Sequence, residues 1–352
     1  MAYTTIDKSS LHFNTKLYTG NNSTNAQTGV GFQPDWIWFK RRDSGAQHSL
    51  FDAVRGVTKG LRSDGTDAES TISDALTSFD SDGFTLGSDS GNYINLNSAT
   101  YASWNWKAGT TSGISTNGST VITPSAYSFN ATSGFSIVKY TGNGNTTTKV
   151  AHGLGSVPKM IIIKKTSAAG DNWKVYHVGI GNTTALQLDN TGATSGGSDN
   201  FYDTTPDTVN FTLGNHTSVN ANGATYIAYC FAEKKGFSKF GSYTGNGNTD
   251  GTFIYTGFKP AFVMLKYAAP GGGTGNWGIH DSVRDVDNPV QKGLIANTNA
   301  AEDTHDFMDM LSNGFKLRST SSNRNENGST YIYMAFAKAP LVGSNNVPCT
   351  AR

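Results

Sequence analysis

A tyrosine-centred turn recurs three times along the chain, and this internal repeat constrains the fold more than any other feature. The turn is spelled KLYTGNNSTN, VKYTGNGNTTT and GSYTGNGNTDG, around Tyr18, Tyr140 and Tyr243. A second tyrosine closes each copy, at Tyr101, Tyr226 and Tyr331. The separation between the first and the closing tyrosine is nearly the same in every copy. Because regular spacing of matching residues is the signature of repeated structural units, the sequence predicts three copies of one module.

Each copy also contains an apolar run that follows a proline. The runs are DWIWFK, KMIIIK and AFVMLK, and each closes in a lysine: Lys40, Lys164 and Lys266. Five or six apolar residues closed by lysine indicate a buried strand that reaches the surface at its end.

An aromatic segment follows, spelled QHSLFDAVRG, NWKVYHVGIG and NWGIHDSVRD. Its alignment matches His48 with Trp173 and Trp277, and Asp52 with His177 and Asp281. The first and third copies place an arginine three residues after the aspartate, at Arg55 and Arg284, whereas the second copy has neither residue. We expect a structural Asp–Arg pair that braces a loop in two of the three modules.

Short apolar stretches separated by Asn-Gly and Gly-Asn turns predict an all-β protein with little helix. The expected architecture is three tandem β-sandwich or jelly-roll-like modules, each closing its own two-layered interior. The predicted divisions are an N-terminal arm (1–11), β module 1 (12–108), a linker (109–133), β module 2 (134–235), β module 3 (236–339) and an extended C-terminal arm (340–352).

Composition argues against several classes of partner. Only 15% of the residues are charged and the net charge is +1, so no strong field attracts nucleic acid or an anionic membrane. Cys230 and Cys349 are too few for a disulfide framework. The N-terminal residues lack a signal-peptide pattern, and we expect no membrane span, no metal and no cofactor.

Several segments together resemble a repeat in structural proteins of marine tailed bacteriophages, notably those of cyanobacteria and abundant ocean bacteria. The segments are GFSIVKYTGNGNTTTKVAHGLGSVPKMIIIKK, LFDAVRGVTKGLRSD, NGATYIAYCFAE and AFAKAPLVGSNNVPCTAR. The resemblance covers nearly the whole chain from about Leu11. It implies a virion component made in the host cytoplasm, such as a capsid decoration, a tail protein or a fibre-like protein, and it supplies no catalytic residue.

Two functions follow as hypotheses. The first is a non-enzymatic virion structural protein that contacts other capsid or tail proteins and forms a homo-oligomer. The alternative is an adhesin for a host glycan or receptor, in which Trp173, Tyr176, Trp277 and His280 lie near polar loops and contact the sugar or partner. Because alternate side chains of a strand lie on opposite faces, the sequence is equally compatible with burial of the two tryptophans in the core.

Catalysis is not expected. His280 is replaced by Phe51 in the first copy, which argues against a repeated general base. The sequence also shows no convergent pair of carboxylates of the kind that glycoside hydrolysis requires.

Overall fold

The computed structural model describes residues 4–192, 195–269 and 274–339, whose regular secondary structure is almost entirely antiparallel β-sheet. Helical structure in these ranges is limited to a 3-10 turn (Ser9–Leu11) and two single-turn helices, α1 (Ser198–Phe201) and α2 (Thr217–Asn220). The predicted fold class, all-β with three tandem sandwich-like modules, is confirmed.

The strands fall into three groups, which we call modules 1, 2 and 3. Module 1 comprises β1 (Phe13–Thr19), β2 (Asn25–Thr28), β3 (Trp36–Arg41), β4 (Ser49–Asp52), β5 (Lys59–Gly60), β6 (Ser70–Thr71), β7 (Leu76–Asp80), β8 (Gly83–Leu86) and β9 (Thr100–Trp106). Module 2 comprises β10 (Ala126–Asn130), β11 (Phe135–Thr141), β12 (Thr148–Ala151), β13 (Pro158–Lys165), β14 (Lys174–His177), β15 (Gly181–Gln187), β16 (Ser195–Gly196), β17 (Asn210–Leu213) and β18 (Thr225–Ala232). Module 3 comprises β19 (Ser238–Thr244), β20 (Phe253–Tyr255), β21 (Lys259–Tyr267), β22 (Trp277–Asp281), β23 (Val290–Ile295), β24 (Asp303–Leu311), β25 (Gly314–Leu317) and β26 (Thr330–Ala339).

The same four-stranded arrangement lies at the centre of every module. Its order is β1-β9-β3-β4 in module 1, β11-β18-β13-β14 in module 2 and β19-β26-β21-β22 in module 3. The repeated tyrosines face each other across the first pair of strands: Tyr18 with Tyr101, Tyr140 with Tyr226 and Tyr243 with Tyr331. The sequence repeat is therefore a structural repeat in register.

Both faces of this central sheet are buried. In β3, Ile37 and Phe39 point into an interior that belongs to module 1 alone, where they pack with Phe84 of β8. Trp36 and Trp38 point the other way, into a core that all three modules share. Successive side chains of a strand lie on opposite faces, so one apolar run supplies both cores.

The shared core is rich in aromatic residues from every module. The Trp36 ring stacks on Tyr229 of module 2 with centroids 4.4 Å apart. Trp106 packs against Phe262 of module 3 at 5.7 Å, and Phe231 of module 2 meets the ring of Phe336 in module 3 at 6.1 Å. Full burial of each such side chain contributes about 1.5–3 kcal/mol, so the modules stabilise one another in addition to closing their own interiors.

The recurring turn is built the same way in each copy. The hydroxyl groups of Tyr18, Tyr140 and Tyr243 donate to the carbonyls of Ile94, Val219 and Arg324, in each case at 2.7 Å. The glycine two residues after each tyrosine approaches the backbone of the same loop. At Gly245, an added Cβ would overlap the Glu326 carbonyl oxygen. The turn thus requires a tyrosine whose hydroxyl group binds the loop and a glycine that lets the backbone of the turn come close to the backbone of that loop.

Three segments were predicted from the sequence to lie outside the modules. Residues 126–130, in the segment predicted as a linker, form β10 and pair with β11. In the predicted N-terminal arm, Ile6 is buried in the shared core. The predicted C-terminal arm, 340–352, lies outside the described residues.

Candidate interaction surface

The four residues proposed as glycan or partner contacts are all buried. Trp173 and His280 are 0% exposed, Trp277 is 1% exposed and Tyr176 is 2% exposed. A sugar stacks only on an accessible ring face, so these residues do not form a glycan platform. The contacts they make lie inside the chain.

The two tryptophans join neighbouring modules. The Trp173 indole Nε1 donates to the Arg62 carbonyl of module 1 at 2.8 Å. The Trp277 indole makes the equivalent bond to the Gln187 carbonyl of module 2, also at 2.8 Å. A buried indole N–H needs an acceptor, and here the acceptor belongs to the next module.

His48, at the aligned position in module 1, completes the ring of contacts. Its Nδ1 accepts from Trp38 Nε1 at 2.8 Å, so the proton is on Nε2, which faces the Ile295 carbonyl of module 3 at 2.9 Å. Burial lowers the pKa of His48 to about 3 and keeps the ring neutral. Module 1 therefore binds module 3, module 3 binds module 2 and module 2 binds module 1.

The predicted Asp–Arg pair is present in module 1. Arg55 Nε lies 2.5 Å from Asp52 Oδ2, and both side chains are buried. The Tyr229 hydroxyl of module 2 donates to the same carboxylate oxygen at 2.7 Å. A buried ion pair persists only when its remaining hydrogen-bonding capacity is satisfied, and part of that capacity is met by another module.

Module 3 repeats the pair. Arg284 Nε lies 2.6 Å from Asp281 Oδ2, and the Trp104 indole of module 1 donates to that oxygen at 3.0 Å. Glu302 is a second acceptor for Arg284, at 3.0 Å. Although burial opposes the charge, Arg284 holds the pKa of Asp281 below its usual range.

In module 2, where neither residue is present, the third junction uses a neutral ring. His177 Nε2 lies 3.1 Å from the Tyr333 carbonyl of module 3. Burial lowers the pKa of His177 to about 4, so the imidazole is uncharged at neutral pH. Asp52, His177 and Asp281, which align in the sequence, thus make equivalent contacts between modules.

The lysines that close the apolar runs do not reach the surface. Lys40, Lys164 and Lys266 are buried, which corrects the expectation from sequence. Lys40 Nζ donates to the Ala46 carbonyl, and Lys266 Nζ donates to the Thr191 carbonyl of module 2, both at 2.8 Å. Burial lowers the pKa of Lys266 to about 7 and those of Lys40 and Lys164 to about 8. The ends of these strands pack against neighbouring loops and modules, and the alternation of residues along a strand does not predict that the lysines there are buried.

Among residues 4–192, 195–269 and 274–339, no group of three or more metal-ligating side chains is found. Within the same residues, no helix is long and apolar enough to cross a bilayer.

Module 2 covers one of its own sheet edges. Residues 121 and 122 extend alongside β12: the amides of Val121 and Ile122 donate to the Lys149 carbonyl at 2.9 and 2.8 Å, and Ala151 N donates to the Ile122 carbonyl at 3.2 Å. Strand β10 then covers the outer edge of β11. We call residues 120–130 the covering segment. It satisfies backbone groups that an uncovered edge presents to solvent or to another chain.

The equivalent edge of module 3 is β20, which ends its eight-stranded sheet at one side while β19 ends it at the other. No strand of the described residues pairs with the outer edge of β20. Phe253 and Tyr255 project from this strand and are 43% and 59% exposed. Beside them lies a groove of about 220 Å³, lined by Glu233, Lys235, Gly236, Ser238, Lys239, Tyr255, Thr256 and Gly257.

The edge strands of modules 1 and 3 both lack an outer partner strand within the described residues, but they differ in chemistry. Strand β2, the edge of module 1, is Asn-Ala-Gln-Thr and carries no aromatic side chain. By strand register, Phe253 corresponds to Ala26 and Lys149, and Tyr255 corresponds to Thr28 and Ala151. We call the exposed strand β20 and its groove the open edge of module 3.

Sequence reasoning missed the open edge, although a signal was present. The segment TFIYTGF alternates exposed Phe253, buried Ile254 and exposed Tyr255. Two large aromatic residues on the solvent side of a short strand predict an exposed apolar patch, a feature typical of interaction sites.

Comparison with known families gives one match. A family model described as a domain of unknown function (DUF7483) matches residues 8–340, which span all three modules. No curated protein and no solved structure matches the chain.

Proposed function

The chain belongs to the DUF7483 family, and we propose that it is a non-enzymatic structural component of a bacteriophage particle that acts through protein–protein contacts. Its place is the virion, as part of the capsid surface, the tail or a fibre, after synthesis in the host cytoplasm. Its partners are neighbouring virion proteins, including further copies of itself. The resemblance to structural proteins of marine phages supports the proposal that the particle is a bacteriophage virion.

The observation that carries this proposal is the open edge of module 3. Phe253 and Tyr255 present aromatic rings beside unpaired backbone groups, and an added strand gains both hydrogen bonds and apolar contact there. The chain contains an internal example of such an added segment, because residues 121 and 122 of the covering segment lie along the equivalent edge of module 2. A module that repeats the same sheet and presents an uncovered edge strand with two exposed aromatic side chains is suited to receive a segment of a neighbouring protein.

The shared core supports a structural role as well. Three modules closed around one aromatic interior give a stiff unit in which each contact surface has a fixed orientation. The low content of charged residues suits closely packed contacts with other virion proteins.

The first test is the protein content of purified particles. Quantitative mass spectrometry of the phage that encodes the chain is expected to find it in a fixed number of copies per particle. A number in the hundreds indicates the shell, whereas a few to about eighteen copies indicates the tail. Absence of the chain from washed particles refutes the proposal.

The second test addresses the open edge. Recombinant protein is mixed with particles that lack it, and retention after sedimentation is measured. The double substitution Phe253→Ser and Tyr255→Ser is expected to reduce retention at least tenfold without changing the unfolding midpoint. Val121→Ser is the matched control, because Val121 is 57% exposed but belongs to the covering segment of module 2 and not to the open edge. Equal retention of all variants excludes the open edge as the contact.

A further inference from the structure

Module 3 contains a buried arginine at a position where the other two modules have aliphatic residues. The repeated tyrosine contact identifies the position: the carbonyls that accept from the tyrosine hydroxyls belong to Ile94, Val219 and Arg324. Ile94 and Val219 are 0% exposed, and Arg324 is 6% exposed. A guanidinium has therefore replaced an apolar side chain in one copy of the repeat.

A second replacement lies beside the first. Strand register matches His280 with Phe51 of module 1 and Tyr176 of module 2. Arg324 Nε lies 3.4 Å from His280 Nε2, and the guanidinium lies over the Phe307 ring, 4.0 Å from its centroid. Burial and the nearby arginine charges lower the pKa of His280 well below its usual value, so the ring is neutral. The two substitutions form a polar pair inside what is an apolar interior in module 1.

The guanidinium forms no direct ion pair in the described part of the chain, although the charge of Asp303 acts on it from beyond contact distance. Two other acids of module 3 bind other arginines: Glu302 binds Arg42 and Arg284, and Asp309 binds Arg318. The long contact with His280 is the guanidinium's single hydrogen bond among these residues. A buried cation without a counter-charge in contact is costly, and burial lowers the pKa of Arg324 although the more distant charge of Asp303 opposes this shift.

Arg324 lines a pocket of about 380 Å³ that opens to solvent. The other lining residues are Asp303, His305, Phe307, Ser319, Thr320, Ser321 and Asn323. Asp303 Oδ1 is buried and has no hydrogen-bond partner within the described residues. The pocket wall therefore carries a cationic side chain and an acidic side chain that form no direct ion pair with each other, surrounded by hydroxyl and amide groups.

The corresponding pocket of module 1 lacks these features. It is lined by Thr71, Ile72, Ser73, Asp74, Ser90, Gly91 and Tyr93, and it contains no cation. Both pockets contain hydroxyl groups and a carboxylate, but the cation is specific to module 3 and does not follow from the fold. A requirement of the repeat itself would place a cation in the module 1 pocket as well.

We propose that the module 3 pocket binds an acidic saccharide, with the Arg324 guanidinium on the sugar's carboxylate and Asp303 accepting from a ring hydroxyl. The planar fork of arginine matches a carboxylate through two parallel hydrogen bonds. Ser321 and Asn323 lie at the pocket wall, where they are suited to further hydroxyl groups. The volume is in the range that holds a small polar ligand. The ligand class is a uronic-acid-containing oligosaccharide, and this site is separate from the open edge.

The test measures binding of a galacturonic acid trisaccharide to the full-length protein by isothermal titration calorimetry. A neutral galactose trisaccharide and free acetate or phosphate are the comparison probes. The proposal predicts that the acidic trisaccharide binds at least tenfold more tightly than either the neutral sugar or the simple anions. Equal binding of simple anions makes the pocket an anion site without sugar recognition and overturns the proposal, as does no binding of the acidic sugar.

The variants follow from the repeat. The double substitution Arg324→Ile and His280→Phe restores the side chains that module 1 uses at these positions, so the interior of module 3 is expected to remain packed while saccharide binding is lost. Arg324→Lys keeps the charge but removes the planar fork, and we expect at least a tenfold loss of affinity. Unchanged affinity in both variants overturns the assignment.

A second readout separates this site from the proposed structural function. The Phe253→Ser and Tyr255→Ser protein is expected to bind the saccharide with unchanged affinity. Conversely, the Arg324→Ile and His280→Phe protein is expected to be retained on particles like the wild type. Loss of both activities in either variant contradicts the separation of the two sites.

Discussion

Removing one hydroxyl group at the junction of modules 1 and 2 tests whether the modules stabilise one another. The Tyr229 hydroxyl donates to Asp52 Oδ2 at 2.7 Å and lies 3.3 Å from Arg55 Nη2. Tyr229→Phe keeps the ring that stacks on Trp36 and removes only these contacts. A hydrogen bond to a charged group contributes about 1.5–3 kcal/mol, so we expect the free energy of unfolding to fall by about 2 kcal/mol.

The assay is denaturant unfolding followed by tryptophan fluorescence, since every tryptophan is buried. A double-mutant cycle with Asp52→Asn isolates the contact between modules, and a coupling of about 1–2 kcal/mol is expected for groups in direct contact. Tyr255→Phe is the matched control on the surface and should change stability by less than about 0.5 kcal/mol. A loss below about 0.5 kcal/mol for Tyr229→Phe, or additivity with Asp52→Asn, refutes the reasoning.

Two further predictions concern the buried lysines and the repeated glycine. The pKa of Lys266 is about 7 in the folded chain and about 10.5 in the unfolded chain, so between these pH values the unfolded state binds more protons and the free energy of unfolding should rise with pH. Lys266→Met should lower the slope of the free energy of unfolding against pH by up to about 1.4 kcal/mol per pH unit, measured by denaturant unfolding at pH 7, 8 and 9. An unchanged slope would mean that other groups cause the pH dependence. Gly245→Ala places a Cβ against the Glu326 carbonyl and should lower stability by about 1–3 kcal/mol in the same assay, whereas Gly118→Ala, which meets nothing within 4 Å, should be neutral; equal effects of the two contradict the packing argument.

The sequence was sufficient to predict the repeated unit. Tyr18, Tyr140 and Tyr243 occupy the same environment, and Asp52 pairs with Arg55 as expected. These features depend on local spacing, which a repeat preserves in every copy. The β class followed from the same short-range patterns.

The association of the modules was not predicted, although the apolar runs carried a signal for it. In WIWFK both alternating positions are apolar, and Trp36 and Ile37 serve different cores. A strand in a single two-layered sandwich buries one face, whereas a strand with two apolar faces needs a second partner. The burial of Lys40 has the same origin, because its strand end meets module 3. Contacts between modules depend on how three copies meet, which spacing within one copy does not encode.

The candidate sites were missed for a related reason. Phe253, Tyr255 and Arg324 differ from their counterparts in the other copies, and an alignment directs attention to positions that agree. In a repeat protein the positions that disagree, once placed on a common structure, mark what a single copy does that the others do not.

Small-angle X-ray scattering of the monomer in dilute solution tests the central claim most directly, namely that three modules close around one shared core. A compact chain of 352 residues has a radius of gyration of about 20 Å. We predict a value near 20 Å and a single-peaked distance distribution. Three separate modules in a row, each of about 100 residues, give about 30 Å from the same size scaling, and a value near 30 Å would contradict the shared core.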